Sequence, residues 1–194
     1  NYASHVMQVP LGVVGVAVGT ALLPVLSRQF KAKDYTAALD SQNRALEFAL
    51  LLTVPAALAL MTIAHLAVAV LFQHGAFTAT DTVATARAIV VFAAGLPAYV
   101  LTKVYAPGFY ARGDTSTPVK ISIFCLIVNV VLILLLMKPY GHVGIAAATT
   151  SSAWINSTSL KILLAREGHA KLDALRKKRI PLIIFSALFM AVYL

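Results

Sequence analysis

Acidic residues and histidines are the side chains of this sequence that could carry acid–base catalysis or hold a metal ion. The acids all fall in polar stretches or at the ends of apolar runs, and they are Asp34, Asp40, Glu47, Asp81, Asp114, Glu167 and Asp173. Carboxylates that relay protons through membrane pumps lie inside the spans, and glycosidic hydrolysis needs a close pair of acids. The histidines show no metal-ligand spacing, and they are His5, His65, His74, His142 and His169. The sequence therefore predicts a protein that is not an enzyme, with no catalytic residues, no metal site and no cofactor.

Three other polar side chains are better suited to binding a substrate than to catalysis. His5 and Gln8 lie one helical turn apart just before Pro10, where a polar helix face could open toward a cavity. Polar side chains also gather at the ends of membrane spans, so an interfacial position is the alternative for this pair. Arg87 lies just inside an apolar run, and its place near the outer end favours extension to the interface over a partner inside the bundle. We take these three residues as candidates for a substrate path.

The stretch from Lys103 to Lys120, KVYAPGFYARGDTSTPVK, combines helix-breaking, aromatic and capping residues. Its candidate residues are Lys103, Pro107, Gly108, Phe109, Tyr110, Asp114, Thr117 and Pro118. We expect the proline and the glycines to break the helix and the two aromatic side chains to sit at the depth of the membrane interface. The carboxylate of Asp114 can accept hydrogen bonds from nearby backbone N–H groups or form an ion pair with Arg112. Thr117 followed by Pro118 is typical of an N-cap and a first helical position.

The composition and the placement of charge indicate a membrane protein. Only 12% of the 194 residues are charged and 60% are hydrophobic, whereas a soluble domain averages about 25% charged residues. Most cations fall in three stretches that alternate with two stretches almost without them: Arg28, Lys31, Lys33 and Arg44, then Lys103, Arg112 and Lys120, then Lys161, Arg166, Lys171, Arg176, Lys177, Lys178 and Arg179. Because cations are held on the cytoplasmic side during insertion, the pattern predicts a multi-pass inner-membrane protein and no nucleic-acid partner.

The apolar runs predict an all-α, polytopic transmembrane bundle of about six spans. The complete spans are expected at about 9–26, 45–71, 82–105, 118–137 and 143–164, with residue 1 outside and the basic gaps inside. The last run, 181–194, is the start of a further helix because it is shorter than the roughly 20 residues that cross a bilayer. The chain therefore looks like a fragment. The fifth span is rich in Ser, Thr and Asn and should face protein or a watery cavity.

Two segments make the sequence resemble a known family. They are PLGVVGVAVGTALLPVLSR and KVYAPGFYARGDTSTPVK, and the likeness extends to FQHGAFTATDT and GHVGIAAATTSSAWINS. The sequence is similar to the MurJ (MviN) family of lipid II flippases, in the multidrug/oligosaccharidyl-lipid/polysaccharide exporter superfamily. The resemblance implies a larger two-lobe transporter, with residues 1–180 as the second-lobe bundle and 181–194 as the start of a further helix. The implied partners are membrane lipids, a missing first lobe and an undecaprenyl-diphosphate-linked peptidoglycan precursor, flipped across the inner membrane by alternating access.

Two alternative functions remain possible from the sequence. A related exporter of another lipid-linked oligosaccharide or of drugs is the main alternative. A membrane-embedded transferase acting on a polyprenyl phosphate is a third class, and it would need paired acids outside this chain.

The resemblance also assigns individual positions. Members of the family carry Tyr-Ala-Asp-Arg just before the first proline, and the Arg is thought to bind the substrate diphosphate; here Ser4 and His5 replace the last two residues. Some members bind a cation between the two spans that correspond to 118–137 and 143–164. Asn129 and Thr149 match two of those ligand positions, whereas Ile133 stands where a carboxylate is expected.

Overall fold

The computed structural model describes residues 12, 17–72, 79–167, 181–183, 186–187 and 189–190. Four helices account for most of them: α1 (Ala17–Lys31), α2 (Tyr35–Phe72), α3 (Ala79–Tyr110) and α4 (Ser116–Arg166). Short helical stretches follow at 181–183, 186–187 and 189–190. Within the described ranges the chain is almost entirely helical, which confirms the all-α prediction.

Three of these helices are long and apolar enough to cross a membrane. The stretches are Tyr35–Val70, Thr80–Tyr110 and Ser116–Arg166, with mean hydropathies of 2.0, 1.7 and 2.8 in their most apolar windows. Since a span needs about 20 residues, each has the required length. The membrane class of the chain is therefore confirmed. The count of six spans, with the bounds given above, stays a prediction.

Helix α4 is two helices joined by a sharp reversal. The hydroxyl Oγ of Ser152 donates to the carbonyl oxygen of Cys125 at 2.7 Å, although the two residues are 27 positions apart. In a straight helix that separation would be about 40 Å. The reversal occurs at Gly141, whose φ of 54° and ψ of −128° are not helical. The break falls inside the predicted gap 138–142. We call 116–140 the first arm and 142–166 the second arm.

The arms pack so closely beside the reversal that one position cannot carry a side chain. A Cβ atom added at Gly144 would lie 2.2 Å from the carbonyl oxygen of Leu136. Glycine at this point lets the two backbones approach each other, as small residues do between membrane helices.

Cross-helix contacts give the direction of each helix. The second arm runs parallel to α3, because Thr150 bonds to Val91 and Trp154 bonds to Ala94. Helix α2 runs antiparallel to α3, because Gln42 bonds to Val104 and Val68 lies in one cluster with Ile89. Helix α1 runs parallel to α3, because Gly19 lies near Lys103 and Phe30 lies near Arg112. The turns 32–34 and 111–115 and the end of α4 therefore lie together at one end of the bundle, which we call the basic end.

The largest core cluster lies toward that basic end and takes side chains from all four helices. Its members include Leu22, Leu26, Leu46, Ala49, Val104, Phe109, Ile121, Cys125, Leu160 and Leu164. Because every helix contributes, the core holds the turns of the basic end in register.

Candidate functional site

The turn after α3 is a tight C-terminal cap built on a glycine. The N–H of Gly113 donates to the carbonyl of Tyr110 at 3.0 Å, and that of Asp114 donates to Phe109 at 3.1 Å. This pair of bonds is the Schellman arrangement, in which the residue after the helix adopts a left-handed conformation. Gly113 has a φ of 82°, which a side chain would oppose. The sequence prediction of a helix break at Gly113 is therefore confirmed.

Asp114 joins this cap to the next helix. Its Oδ1 accepts from the backbone N–H of Thr117 at 3.0 Å, one of the two alternatives expected for this carboxylate. The predicted N-cap at Thr117 is wrong: the helix begins at Ser116, after Thr115, because the stronger acceptor Asp114 already satisfies the Thr117 donor. Hydrogen bonding, first from the Thr117 side chain, lowers the pKa of Asp114 below its ordinary value.

Arg112 ties three helix ends together at the basic end. Its guanidinium lies 5.1 Å from the centroid of the Phe109 ring and 5.9 Å from that of Phe30, which belongs to α1. Its Nε donates to the carbonyl of Gly108 at 2.9 Å, and its Nη1 forms an ion pair with Glu167 just after α4. The ion pair of Arg112 is thus with Glu167, while its charge acts on Asp114 only as the smallest of the causes that lower the pKa of that carboxyl. Stacking and pairing together hold the guanidinium in place.

The turn after α1 repeats the design with different residues. The N–H of Lys33 donates to Phe30 and that of Asp34 to Gln29, both at 3.0 Å, and Lys33 has a φ of 57°. Asp34 Oδ1 accepts from the N–H of Ala37 at 3.0 Å, and this bond is the main cause that lowers the pKa of Asp34. The sequence analysis did not predict this turn. Asp34 could have indicated it, because an Asp just before a helix often accepts a hydrogen bond from a backbone N–H of the first turn.

Two of the expected helix breaks are absent. Helix α3 continues through Pro107 and Gly108 to Tyr110, so the prediction that they end the helix is wrong. The side chain of Gln42 on α2 donates from Nε2 to the carbonyl of Val104 at 3.4 Å, near the place where Pro107 supplies no N–H. Gly108 leaves room for that amide, since an added Cβ would lie 3.0 Å from Gln42 Nε2.

The candidate aromatic pair does not share one environment. Phe109 is fully buried in the core, whereas Tyr110 is 41% exposed. Only Tyr110 presents its ring at the surface, because the ring of Phe109 packs between helices and under Arg112. The interface depth expected for the two residues stays a prediction. Lys103 is exposed, and Pro118 is buried at the start of the first arm.

A polar seam joins the second arm to the middle of α3. Thr150 Oγ1 donates to the carbonyl of Val91 at 2.9 Å, and Trp154 Nε1 donates to that of Ala94 at 3.1 Å. Gly95 allows the contact, because a Cβ there would lie 3.0 Å from Thr150 Oγ1. The polar residues of this arm therefore divide between three environments. Ser152 is buried between the arms, Thr150 is buried against α3, and Ser151 and Thr158 are exposed.

The remaining candidates are spread over the molecule. Arg87 is exposed on α3, and His5 and Gln8 lie outside the described residues. Asn129 on the first arm and Thr149 on the second lie at one level, each one turn from the Cys125–Ser152 bond. Asn129 Oδ1 is buried without a hydrogen-bond partner, while Thr149 Oγ1 donates to Ile145. The structure thus brings two proposed cation ligands to one depth.

These features define the class of the protein. Long apolar helices, a basic end with capped turns and a polar seam inside the bundle are those of a multi-pass helical membrane protein. The chain belongs to the lipid II flippase MurJ family, because the family model described as "Lipid II flippase MurJ" matches residues 1–194.

Individual relatives agree with this assignment. The chain is 40% identical over 190 residues to a probable lipid II flippase MurJ of Rhizobium tropici, covering 98% of this chain and 36% of that protein. It is 39% identical over 171 residues to the lipid II flippase MurJ of Burkholderia cenocepacia, covering 87% of this chain and 33% of that one. A solved lipid II flippase MurJ in an inward closed conformation superposes with a TM-score of 0.85 at 26% identity, over 99% of this chain and 39% of that chain. The chain thus spans about a third of the length of these relatives.

Proposed function

We propose that this chain is part of the second lobe of a transporter that flips lipid-linked peptidoglycan precursor across the bacterial inner membrane, without being an enzyme. The observation that carries the proposal is the match of all 194 residues to the lipid II flippase family. The similar fold of a solved member supports it. Because the chain spans about a third of its relatives, the activity belongs to a longer protein with a first lobe and alternating access between the lobes.

The proposed topology has about six spans and a cytoplasmic basic end. Arg28, Lys31 and Lys33 border one turn of that end, and Arg112 lies in the other. All belong to the end where the stacked Arg112 joins α1, α3 and α4. Cations clustered at one end of a bundle favour the cytoplasmic side of the membrane. The reversal at Gly141 is then periplasmic.

The proposed path for the polar head uses a few cationic and hydroxyl groups. A polyprenyl tail can stay in hydrocarbon, whereas a diphosphate head must cross roughly 30 Å of it. His5, Gln8 and Arg87 are the path candidates in this chain. His5 can donate to phosphate and is cationic once protonated, but it lacks the permanent charge and the forked donors of Arg. The phosphate contact made by His5 is therefore expected to be weaker than that of the family arginine.

The proposed cation site between the arms is incomplete among the residues that the structure describes. Asn129 and Thr149 supply oxygen atoms at one depth, and the buried, unpaired Oδ1 of Asn129 is a suitable ligand. Ile133 supplies none, so further ligands would have to come from outside the described residues.

The function can be tested by genetic replacement. The full-length protein is expressed in a bacterium depleted of its own lipid II flippase, and restored growth is expected. Lack of rescue despite normal abundance in the membrane would contradict the proposal. The variant His5→Arg is the informative companion, since it restores a permanent cation and should preserve or raise transport. A sharp loss of transport in this variant would show that the position serves another purpose.

A further inference from the structure

The exposed surface of the second arm is unusual for a membrane helix. Between residues 143 and 160 three residues are exposed, and they are Ser151, Trp154 and Thr158. Their spacing of three and four puts them on one face of the helix. In a lipid-facing helix that face would be aliphatic, because polar side chains are costly in hydrocarbon. We call these residues the polar stripe.

The first arm has the opposite surface from residue 123 onward, a range that lies beside Ser151 and Trp154 of the second arm. Its exposed side chains between 123 and 137 are all apolar: Ile123, Phe124, Leu126, Ile127, Val130, Val131, Leu134, Leu135 and Met137. The bond between Cys125 and Ser152 places Ser151 and Trp154 at the level of Leu126 and Ile123, so for these two residues the difference does not come from depth. The first arm has the surface of a lipid-facing helix, and the polar stripe does not.

Trp154 is fixed in the middle of this stripe. It lies twelve residues from each end of the second arm, about 18 Å along the helix. Its Nε1 is held by the carbonyl of Ala94, while 41% of the residue remains exposed. The indole is thus a flat, oriented surface with its polar atom already satisfied.

We propose that Trp154, with the hydroxyls of Ser151 and Thr158 on either side, forms a contact surface for a sugar ring of the transported lipid-linked cargo. A sugar ring presents C–H bonds on its faces and hydroxyls at its edge. The electron-rich face of an indole attracts such C–H groups, and neighbouring hydroxyls bond to the edge. This inference rests on the proposed function, and it concerns the sugar part of the cargo, not its diphosphate.

Trp154 is the single tryptophan of the chain, so its fluorescence tests the environment of the stripe. The full-length protein, with any tryptophan outside this chain replaced by phenylalanine, is placed in bilayers. Acrylamide in the water should quench the emission more strongly than phospholipids brominated in their acyl chains. The matched control is Ile127→Trp in a Trp154→Phe background, which puts the tryptophan at mid-depth on the first arm, where brominated lipid should quench it. Stronger quenching of Trp154 by brominated lipid, or no quenching by either agent, would overturn the proposal.

Binding then tests the ligand. Trp154→Leu should weaken binding of the lipid-linked peptidoglycan precursor roughly 3- to 10-fold, as expected for loss of one aromatic contact. Binding of undecaprenyl diphosphate, which has no sugar, should not change. Equal weakening of both ligands would show a structural role for Trp154 and would contradict the proposal. If the unmutated protein bound neither ligand and did not rescue growth, the proposed function itself would fail, whatever the quenching result.

Discussion

The two arms of α4 are neighbours in sequence and in space, yet they have different tasks. The first arm buries few residues and exposes a broad aliphatic surface, while the second arm buries small and hydroxyl side chains and exposes the polar stripe. One arm therefore resembles the outer wall of a membrane bundle, and the other resembles an inner helix. The two arms are equally long, and the chemistry of their exposed faces separates them.

The largest test of this difference is a charge placed on each exposed face. Ile127→Lys puts an ammonium on the lipid-facing surface near the centre of the first arm, and it should cost about 2.5–3.5 kcal/mol of insertion free energy. Ser151→Lys puts the same group on the polar stripe and should cost much less. The measurement is the fraction of each full-length variant that is inserted and folded in the membrane.

Both variants carry the same added charge, so their difference isolates the surroundings. Lysine can reach the interface from near a helix end, which is why the mid-arm position of Ile127 is used. If both lysines reduced insertion equally, the two faces would share one environment and the comparison would be wrong.

The next test concerns the junction between the arms. Gly144→Ala adds a Cβ that would lie 2.2 Å from the carbonyl oxygen of Leu136, and backbone cannot move aside as a flexible side chain can. Overpacking of this kind costs about 1–3 kcal/mol, and we expect the upper part of that range. Thermal unfolding of the purified protein in detergent measures the loss.

Gly19→Ala is the matched control for that substitution. An added Cβ at Gly19 would lie 3.8 Å from the carbonyl oxygen of Lys103, an ordinary van der Waals distance. Its unfolding temperature should stay close to that of the unmutated protein. A Gly144→Ala variant as stable as this control would show that the arms are farther apart than described.

A smaller effect is expected from the hydrogen bond that links the arms. Ser152→Ala removes the donor to the Cys125 carbonyl, and hydrogen bonds between membrane helices contribute about 0.6 kcal/mol on average. Ser151→Ala, one residue away on the exposed stripe, should leave the unfolding free energy unchanged. Equal effects of the two substitutions would mean that Ser152 does not distinguish the buried face of the arm.

Part of this architecture could be predicted from the sequence. Periodic apolar runs indicated helices, and the break at Gly141 falls inside the expected gap because a short polar stretch separated two apolar ones. Gly113 was recognisable because a glycine before Asp114 suits a left-handed cap. These features depend on neighbours in sequence, and local residue types report them well.

Features that depend on distant partners could not be predicted. Pro107 looked like a helix end, yet α3 continues, with Gln42 of another helix bonded to a carbonyl beside it. The bond from Trp154 to Ala94 and the stacking of Arg112 on Phe30 also join residues from separate helices. A single sequence does not say which helices meet, so the polar stripe became visible only when exposure was known.

The smallest effect is expected at the start of the first arm, where a carboxylate caps the helix. Hydrogen bonds lower the folded-state pKa of Asp114 below its ordinary value of 3.8, so its stabilising contribution is present above that pH and is lost as pH falls through the folded pKa. Asp114→Asn keeps an acceptor that does not titrate. The variant should therefore lose less stability than the unmutated protein when unfolding is followed from neutral pH to below pH 3.8, with Asp34 contributing equally to both. Because Asp114 is open to solvent, the difference should be small and should shrink with added salt. Identical acid profiles for the two proteins would mean that the first arm is held by its lipid-facing packing and its closed junction, without help from its cap.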